Sequence, residues 1–511
     1  MKKSLQFLDG ASLCALIVAM CSQVDVRRVG RDTLAEGLGY ATKTLAVALS
    51  DVVFLLVASF FVARVFQLRA WKRLWWPPLP CFALIFALVL SALHSPSIVE
   101  AVRSSVVKES GLKNKITAVL VTKKEVFKNG EMKTERAPVS ESKEALAEIV
   151  QWSAYFLVAP WLFVNLIHDR RDADLYGGAE LSDIEAGDET RAQSGAFISR
   201  RTLAIGAFTF AVMASGIAAL VQLQSFTASA PRGFFGSANV YGAFLALAVP
   251  LLVEQESSDA RMQFRSWILS LALLFIALWT VVSLWALVAA AVGMVCVVLA
   301  RRGNVRLKAF RLSLVAALAV LTLGLWRAPS ALSPFRTESV TLGSEKQRVK
   351  KQFVEWGAAL GWSVPRERAF ATGVGPGNYQ LNIGPLYNSL PNEEKMPPDS
   401  NNLYLVQGVS VGILGLGALL WVVLHFWASA WRAAKQFSDD WLGAGVVGAL
   451  SSWLVVNTFH ALIVRGAGLI LAFLFALAVI ALKGETGSAR PSEAKRRLLG
   501  KSALLRNDSK T

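Results

Sequence analysis

Apolar residues come along the chain in blocks of roughly twenty, separated by polar segments that carry most of the charge. Within a block the apolar residues follow neither the stripe of an amphipathic helix nor the alternation of a half-buried strand. A helix needs about 20 apolar residues to cross the hydrocarbon core of a bilayer. The pattern therefore predicts an all-α integral membrane protein.

The blocks predict about twelve transmembrane helices. The block from Trp267 to Ala300 is too long for one helix, so we divide it near Ser283–Trp285 into two short spans. The predicted centres lie near residues 15, 55, 86, 157, 213, 245, 275, 292, 318, 413, 452 and 474.

Positive charge predicts the orientation of these spans. The loop after the first span, with Arg27, Arg28 and Arg31, is an exception. Five other lysine and arginine clusters fall on one side of the membrane if both termini are cytoplasmic, as the positive-inside rule requires. The clusters are Arg69, Lys72 and Arg73; Arg170, Arg171, Arg200 and Arg201; Arg261 and Arg265; Arg301, Arg302, Arg306 and Lys308; and Lys495, Arg496 and Arg497.

Long polar segments divide the chain into three parts. Residues 1–200 form an N-terminal membrane region with a non-cytoplasmic insertion at about 95–145 and a cytoplasmic loop at about 169–200. Residues 201–482 form a membrane core, with a large external loop, 327–401, between the ninth and tenth spans; residues 483–511 are a basic cytoplasmic tail. Alternating ITAVLV and EVF runs and the pair Asn129-Gly130 predict a small hairpin in the insertion.

Composition narrows the chemistry. The chain of 511 residues is 54% hydrophobic and 17% charged, and its net charge of +17 is explained by cytoplasmic loops and tail rather than by nucleic-acid binding. Four cysteines, Cys14, Cys21, Cys81 and Cys296, lie in or beside apolar stretches without metal-ligand spacing. We therefore expect neither a disulfide framework nor a zinc site.

A permanent charge stands at the non-cytoplasmic start of the sixth span, in Arg232-Gly233-Phe234-Phe235-Gly236-Ser237-Ala238-Asn239. An arginine there can be an interfacial anchor that reaches back to water. Arg232, a glycine-containing aromatic turn and the Asn239 amide can instead bind an anionic head group together, because arginine matches phosphate oxygens bidentately.

The external loop carries Arg348, two lysines and Trp356, and then Gly373-Val374-Gly375-Pro376-Gly377-Asn378-Tyr379. This glycine run lacks the Gly-Lys-Ser/Thr ending of a nucleotide-binding loop. It is more typical of a turn that shapes a pocket. The loop ends in Asn401, Asn402 and Tyr404, where the tenth span begins.

Two ionisable residues lie within predicted spans. His460, near the non-cytoplasmic end of the eleventh span, is a candidate general base, and an interhelical hydrogen bond explains it as well. Asp51 in the second span would suit the proton relay of a transporter. A transporter also predicts paired midplane charges or repeated halves, and neither is evident in the sequence.

The order of these motifs resembles the bacterial O-antigen ligase and polymerase superfamily over roughly residues 200–425. The shared features are an Arg-Gly-x-Phe-x-x-x-Asn helix start, an outer loop with Trp356 and GVGPGNY, and Asn402-Leu403-Tyr404-Leu405 followed by Gly412-Ile413-Leu414-Gly415. The resemblance implies a glycosyltransferase of the bacterial inner membrane in surface polysaccharide biosynthesis. It would move a glycan from an undecaprenyl-diphosphate carrier to a lipid or glycan acceptor on the periplasmic side, without metal or cofactor.

In that chemistry Arg232 would neutralise the charge developing on the diphosphate leaving group. Asn401 and His460 are the other catalytic candidates. The candidate substrate-binding residues are Asn239, Arg348, Gly373, Gly375, Asn378, Asn402 and Tyr404.

Two positions depart from the family pattern. Leu284 stands where the family often has arginine, and Asn401 where it commonly has histidine. Asparagine can orient a hydroxyl but cannot act as a general base. The alternative is a catalytically degenerate member that binds lipid-linked glycans within a polysaccharide export machine.

Overall fold

The structure of the protein is a computed structural model. The described residues are 2–21, 49–67, 74–94, 121–128, 131–138, 141–167, 200–224, 233–235, 238–253, 284–301, 353, 356–357, 359–360, 367–379, 402–436, 441–459 and 467–483.

Thirteen α-helices and one β-hairpin are described within these residues. A single π-helical turn, Ala154–Val158, joins α4 and α5. In chain order the elements are α1 (Lys2–Met20), α2 (Leu49–Gln67), α3 (Leu79–His94), β1 (Val121–Lys128), β2 (Glu131–Pro138), α4 (Glu141–Ser153), α5 (Ala159–Ile167), α6 (Arg200–Gln224), α7 (Ala238–Val253), α8 (Leu284–Ala300), α9 (Glu367–Thr372), α10 (Leu403–Ser410), α11 (Gly412–Gln436), α12 (Trp441–Val456) and α13 (Ala467–Lys483).

The helices have the composition of a helical membrane protein. Among the described residues, four are long and apolar enough to cross a bilayer: Leu49–Gln67, Ala145–Ile167, Arg200–Gln222 and Gly412–Gln436. Six shorter helices are also apolar. The predicted span centres near 275 and 318, and most of the external loop 327–401, lie outside the described residues. The count of twelve spans and the sidedness of that loop stay predictions.

The insertion contains the predicted hairpin. β1 and β2 pair antiparallel, and Lys128 faces Glu131 across the Asn129-Gly130 loop. A two-residue Asn-Gly loop favours this arrangement because both loop positions accept positive φ. The all-α prediction is thus correct for the membrane part but omits one small hairpin outside it.

The predicted tenth span is interrupted. The centre expected near residue 413 falls at a break between α10 and α11, and the long helix begins at Gly412. Gly412 has φ +70°, and an added Cβ would overlap the backbone of Ala371. Only glycine accepts this conformation readily, so the chain changes direction here instead of continuing one helix.

Polar contacts between the helices gather at two ends of the bundle. At one end the carboxylate of Asp9 contacts the guanidinium groups of Arg64 and Arg200, and all three side chains are buried. The Asp9 Oδ2 to Arg200 Nη2 distance is 3.1 Å. We call this the Asp9 end. The network joins α1, α2 and α6, and Arg200 also donates to the carbonyl of Leu166 in α5.

Two further contacts extend the Asp9 end. The side chain of Asn165 in α5 accepts from the backbone N–H of Trp75 and donates to its carbonyl, which fixes the start of α3. Across the bundle, Lys435 near the end of α11 donates to the carbonyl of Leu299 near the end of α8. The opposite ends of α3, α6, α8 and α11 therefore share the other side of the bundle.

Close packing of small residues holds the middle of the core. A Cβ at Gly448 in α12 would overlap the side chains of Val297 and Pro250, and a Cβ at Gly293 in α8 would overlap Ser452. The hydroxyl of Ser452 donates to the carbonyl of Ala289 at 2.9 Å. Small residues let membrane helices approach this closely, so α7, α8 and α12 form one tightly packed unit.

Candidate functional site

The turn before α7 is held from several directions. Gly233 has φ +55°, and a Cβ there would overlap Ser215 of α6. Phe235 is buried against Phe244, with ring centroids 4.8 Å apart. Arg232 lies outside the described residues, directly before Gly233. Asn239 is in the first turn of α7, and its side chain is outside the described part.

The glycine turn, Gly373–Tyr379, is built on the C-terminal end of α10. Gly373, Gly375 and Gly377 have φ values of +74°, +104° and +76°, which other residues adopt only with strain. The N–H of Val374 donates to the carbonyl of Val409, and that of Gly375 to Ser410 at 2.8 Å. These bonds satisfy carbonyls that the end of a helix would otherwise leave without partners.

The glycine turn is closed by side chains as well. Asn378 is buried, and its Nδ2 donates to the carbonyl of Val374 within the same turn. Ser91 near the end of α3 donates to the carbonyl of Ser410 at 3.0 Å. α3 therefore meets α10 and the glycine turn at one point. We call this side of the bundle the glycine-turn end.

Asn402 begins α10 as its N-cap. The side-chain oxygen accepts from the backbone N–H groups of Tyr404 and Leu405, at 3.0 and 3.1 Å. An N-cap in this role supplies an acceptor for the first helical donors. Asn401, the residue before it, lies outside the described residues.

Tyr404 ties α10 to α12. Its hydroxyl donates to the carbonyl of Leu454 at 2.7 Å.

The start of α10 also meets the end of α12 directly. The N–H of Leu403 donates to the carbonyl of Asn457 at 2.9 Å, and the buried Asn457 side chain donates to Trp453. His460 lies outside the described residues, one position beyond Phe459. The chain segments that carry Asn401 and His460 are therefore joined by a backbone hydrogen bond.

Aromatic rings from three distant segments lie together beside this junction. The ring of Trp285, in the first turn of α8, lies on that of Phe459, with centroids 3.4 Å apart and planes inclined by 5°. The ring centroid of Trp356, in the predicted external loop, lies 5.7 Å from that of Phe459. Leu284, the first residue of α8, stands where the family resemblance predicts an arginine. The next residue, Trp285, stacks on Phe459, so this helix begins with an apolar and an aromatic residue instead of a charge.

The glycine-turn end thus contains five of the ten predicted site residues. Gly373, Gly375, Asn378, Asn402 and Tyr404 all lie there, and each has a structural partner within the protein. Four candidates, Arg232, Arg348, Asn401 and His460, lie outside the described residues. Substrate binding by any member of this set stays a prediction.

Sequence reasoning missed several polar residues of this region: Ser91, Gln222 and Asn457. A usable signal was present, because a polar side chain in an apolar helix is costly unless it has a partner. Among the described residues, no group of three or more His, Cys, Asp and Glu side chains is arranged to hold a metal ion.

Comparison of the chain with models of protein families and with curated proteins finds no match.

Proposed function

We propose that the protein transfers a glycan from an undecaprenyl-diphosphate carrier to a lipid or glycan acceptor on the periplasmic side of a bacterial inner membrane. One observation carries the proposal. The residues flanking Arg232, Asn401 and His460, which are Gly233, Asn402 and Phe459, all lie at the glycine-turn end. These three residues are separated by 57 to 226 positions in sequence, and the fold brings them to one end of the bundle.

The roles follow from the chemistry of the leaving group. The anomeric carbon of the donor loses a diphosphate as the acceptor hydroxyl attacks, so negative charge grows on the diphosphate. The Arg232 guanidinium would stabilise that charge in the transition state. Asn401 would orient the acceptor hydroxyl, and His460 would take its proton. Arg348 would add a second cationic contact.

The test is deletion of the gene in the source bacterium, followed by measurement of surface polysaccharide and lipid-linked precursors. We expect lipid-linked glycan to accumulate and the wild-type gene to restore the surface polymer. Arg232→Ala should lower transfer on the order of 10²–10³-fold, the usual loss for one group that stabilises transition-state charge. Trp421→Ala, an exposed residue of α11, is the control and should restore transfer fully.

Different results would overturn different parts of the proposal. No accumulation of precursor in the deletion strain would exclude the transfer function. Full rescue by Arg232→Ala would remove the role of that arginine. Normal transfer by His460→Ala would exclude His460 as the base.

A second function is favoured by the start of α8. Trp285 packs flat on Phe459 beside Leu284, so this corner offers aromatic surface where the family resemblance predicts a second arginine. The protein would then bind lipid-linked glycans within an export machine without transferring them. Purified protein that binds the donor but gives no product with any acceptor would favour this binding function.

A further inference from the structure

One face of α3 is apolar along the whole helix. Its exposed large apolar side chains are Leu79, Phe82, Phe86, Val89 and Leu93. Steps of three and four positions place these side chains in one stripe along the helix. The opposite side of α3 packs into the core of the bundle. The stripe is therefore the part of this apolar helix that faces the lipid.

α11 carries a similar surface beside α3. It is one of the helices that are long enough to cross a bilayer, and it packs against α3. Its exposed large apolar side chains begin with Ile413 and Leu414, close to the glycine turn. At the matching end of α3, Ser91 donates to the carbonyl of Ser410, and Leu93 follows two positions later. The lipid-facing surface of both helices therefore reaches the glycine-turn end.

α9 lies at the place where this lipid-facing surface ends. It contacts both α3 and α11. A Cβ at Gly412 would overlap the carbonyl of Ala371, so the backbone of α9 touches the start of α11. Phe370, the residue before Ala371, has a side chain that is 57% exposed. An exposed aromatic residue thus stands directly beside the ends of two lipid-facing helices.

The charge pattern around Phe370 suits the boundary of a bilayer. Arg366 and Arg368 precede it in the sequence. Apolar residues with arginines a few positions away are typical of segments in the membrane interface, because the apolar side chain enters the acyl region while the cations stay near the phosphates. One exposed phenylalanine elsewhere on a surface would be ordinary. The continuity of Phe370 with two lipid-facing helices indicates an interaction surface.

We propose that α9 lies in the membrane interface, with Phe370 among the acyl chains of one leaflet, and holds the glycine turn at the depth of the lipid phosphates. The partner is the lipid surface itself. Part of the segment 327–401, which the sequence predicts as an external loop, then lies in the bilayer rather than in water. This contact requires only a membrane-spanning bundle and is independent of glycan transfer.

The experiment introduces the photoreactive residue benzoylphenylalanine in place of Phe370. The full-length protein is studied in nanodiscs of phosphatidylethanolamine and phosphatidylglycerol. On irradiation, the benzophenone carbonyl inserts into neighbouring C–H bonds and gives no adduct with water. We expect a lipid adduct, measured by mass spectrometry as one phospholipid added to the peptide that contains position 370.

Two other phenylalanines carry the same probe as controls. Phe86, in the middle of the α3 stripe, should also give a lipid adduct. Phe459 lies at the glycine-turn end with its ring on Trp285, so the probe there should crosslink within the chain. A crosslink from position 370 to protein, within one chain or between two copies, would overturn the proposal. The absence of any adduct at position 370 would do the same, because it would place the side chain in water.

Substitutions of Phe370 test whether the lipid contact holds the glycine turn. Phe370→Asp puts a charge against the acyl chains, which is unfavourable, whereas Phe370→Leu keeps an apolar side chain. The amides of Val374 and Gly375 donate to Val409 and Ser410. We expect their hydrogen exchange in nanodiscs to become several-fold faster in Phe370→Asp and to stay unchanged in Phe370→Leu. Equal exchange in Phe370→Asp and wild type would show that α9 does not hold the turn.

Discussion

The two ends of the helical bundle are joined by different chemistry. At the Asp9 end, one buried carboxylate lies between two buried guanidinium groups, and the three side chains come from three helices. At the glycine-turn end, α3, α10, α12 and the glycine turn meet through neutral groups: backbone N–H and carbonyl groups, a serine hydroxyl and a tyrosine hydroxyl.

The two ends should therefore be sensitive to different kinds of substitution. A buried ion network is costly to interrupt, because removing one partner leaves the other charges desolvated. A junction of neutral groups and glycines is sensitive to shape instead, since its atoms approach too closely to admit a side chain. The glycine-turn end is also where the described site residues Gly373, Gly375, Asn378, Asn402 and Tyr404 lie, away from the carboxylate of Asp9.

The largest expected effect is at the Asp9 end. Asp9→Ala leaves Arg64 and Arg200 buried without their carboxylate, which should cost about 3–5 kcal/mol of stability. The measurement is the midpoint of thermal unfolding in detergent. Leu8→Ala, at an exposed neighbouring position, should change stability by no more than about 0.5 kcal/mol. Equal midpoints for the two variants would show that the network does not hold α1.

Shape is tested next, at the glycine-turn end. Gly373→Ala should destabilise by about 1–3 kcal/mol for the positive φ alone, with a further cost from overlap with the backbone of Ser410. Gly408→Ala in α10 is the matched control, because a Cβ there meets only the side chain of Leu416 at 3.7 Å. Alanine in that helical position should stabilise by about 0.5–1 kcal/mol. Changes of the same sign would contradict the close backbone approach at Gly373.

A smaller effect is expected at the N-cap of α10. Asn402→Ala removes the acceptor for two backbone N–H groups and should cost about 1 kcal/mol. Asn402→Asp keeps that acceptor and should retain most of the stability. Measuring unfolding and donor binding together separates the cap from the predicted substrate contact. Loss of donor binding in Asn402→Asp at full stability would assign the amide to the ligand as well as to the helix.

An effect of similar size is expected for the hydrogen bond between α10 and α12. Tyr404→Phe removes one hydroxyl and should cost about 0.5–1.5 kcal/mol. Because the ring is retained, the change in the thermal unfolding midpoint of this variant measures the hydrogen bond. A cost above that of Gly373→Ala would reverse the ranking within the glycine-turn end and show that hydrogen bonding outweighs close packing there.

Most helices could be predicted from the sequence, because blocks of apolar residues are a local signal that needs no knowledge of neighbours. The hairpin around Asn129-Gly130 was predicted for the same reason, from a turn whose backbone demands are local. The break between α10 and α11 was not. Gly412 lies in an apolar stretch that the sequence predicts as one span. Its close approach to the backbone of Ala371, a contact known only from the fold, leaves no room for a Cβ there.

The sequence predicted which residues lie at the site better than it predicted what each of them contacts. Gly373, Gly375, Asn378, Asn402 and Tyr404 were identified by motif order, and they do gather at one end. Their distant partners could not be predicted: the Tyr404 hydroxyl donates to the carbonyl of Leu454, 50 positions away. Gln222 was missed although Gly233 lies only eleven positions further along, because the two meet only once the turn after α6 has formed.

Charge gives the clearest contrast between local and long-range information. The sequence identifies Asp51 as an acidic residue within a predicted span. It indicates no basic partner for Asp9, which lies near the start of the chain. Folding brings Arg64 and Arg200 to Asp9 from 55 and 191 positions away. Hydrophobic periodicity is written in neighbouring residues, so it is sufficient to predict helices in a membrane. Which buried charges and glycines meet depends on how those helices pack, and that information is spread over the whole chain.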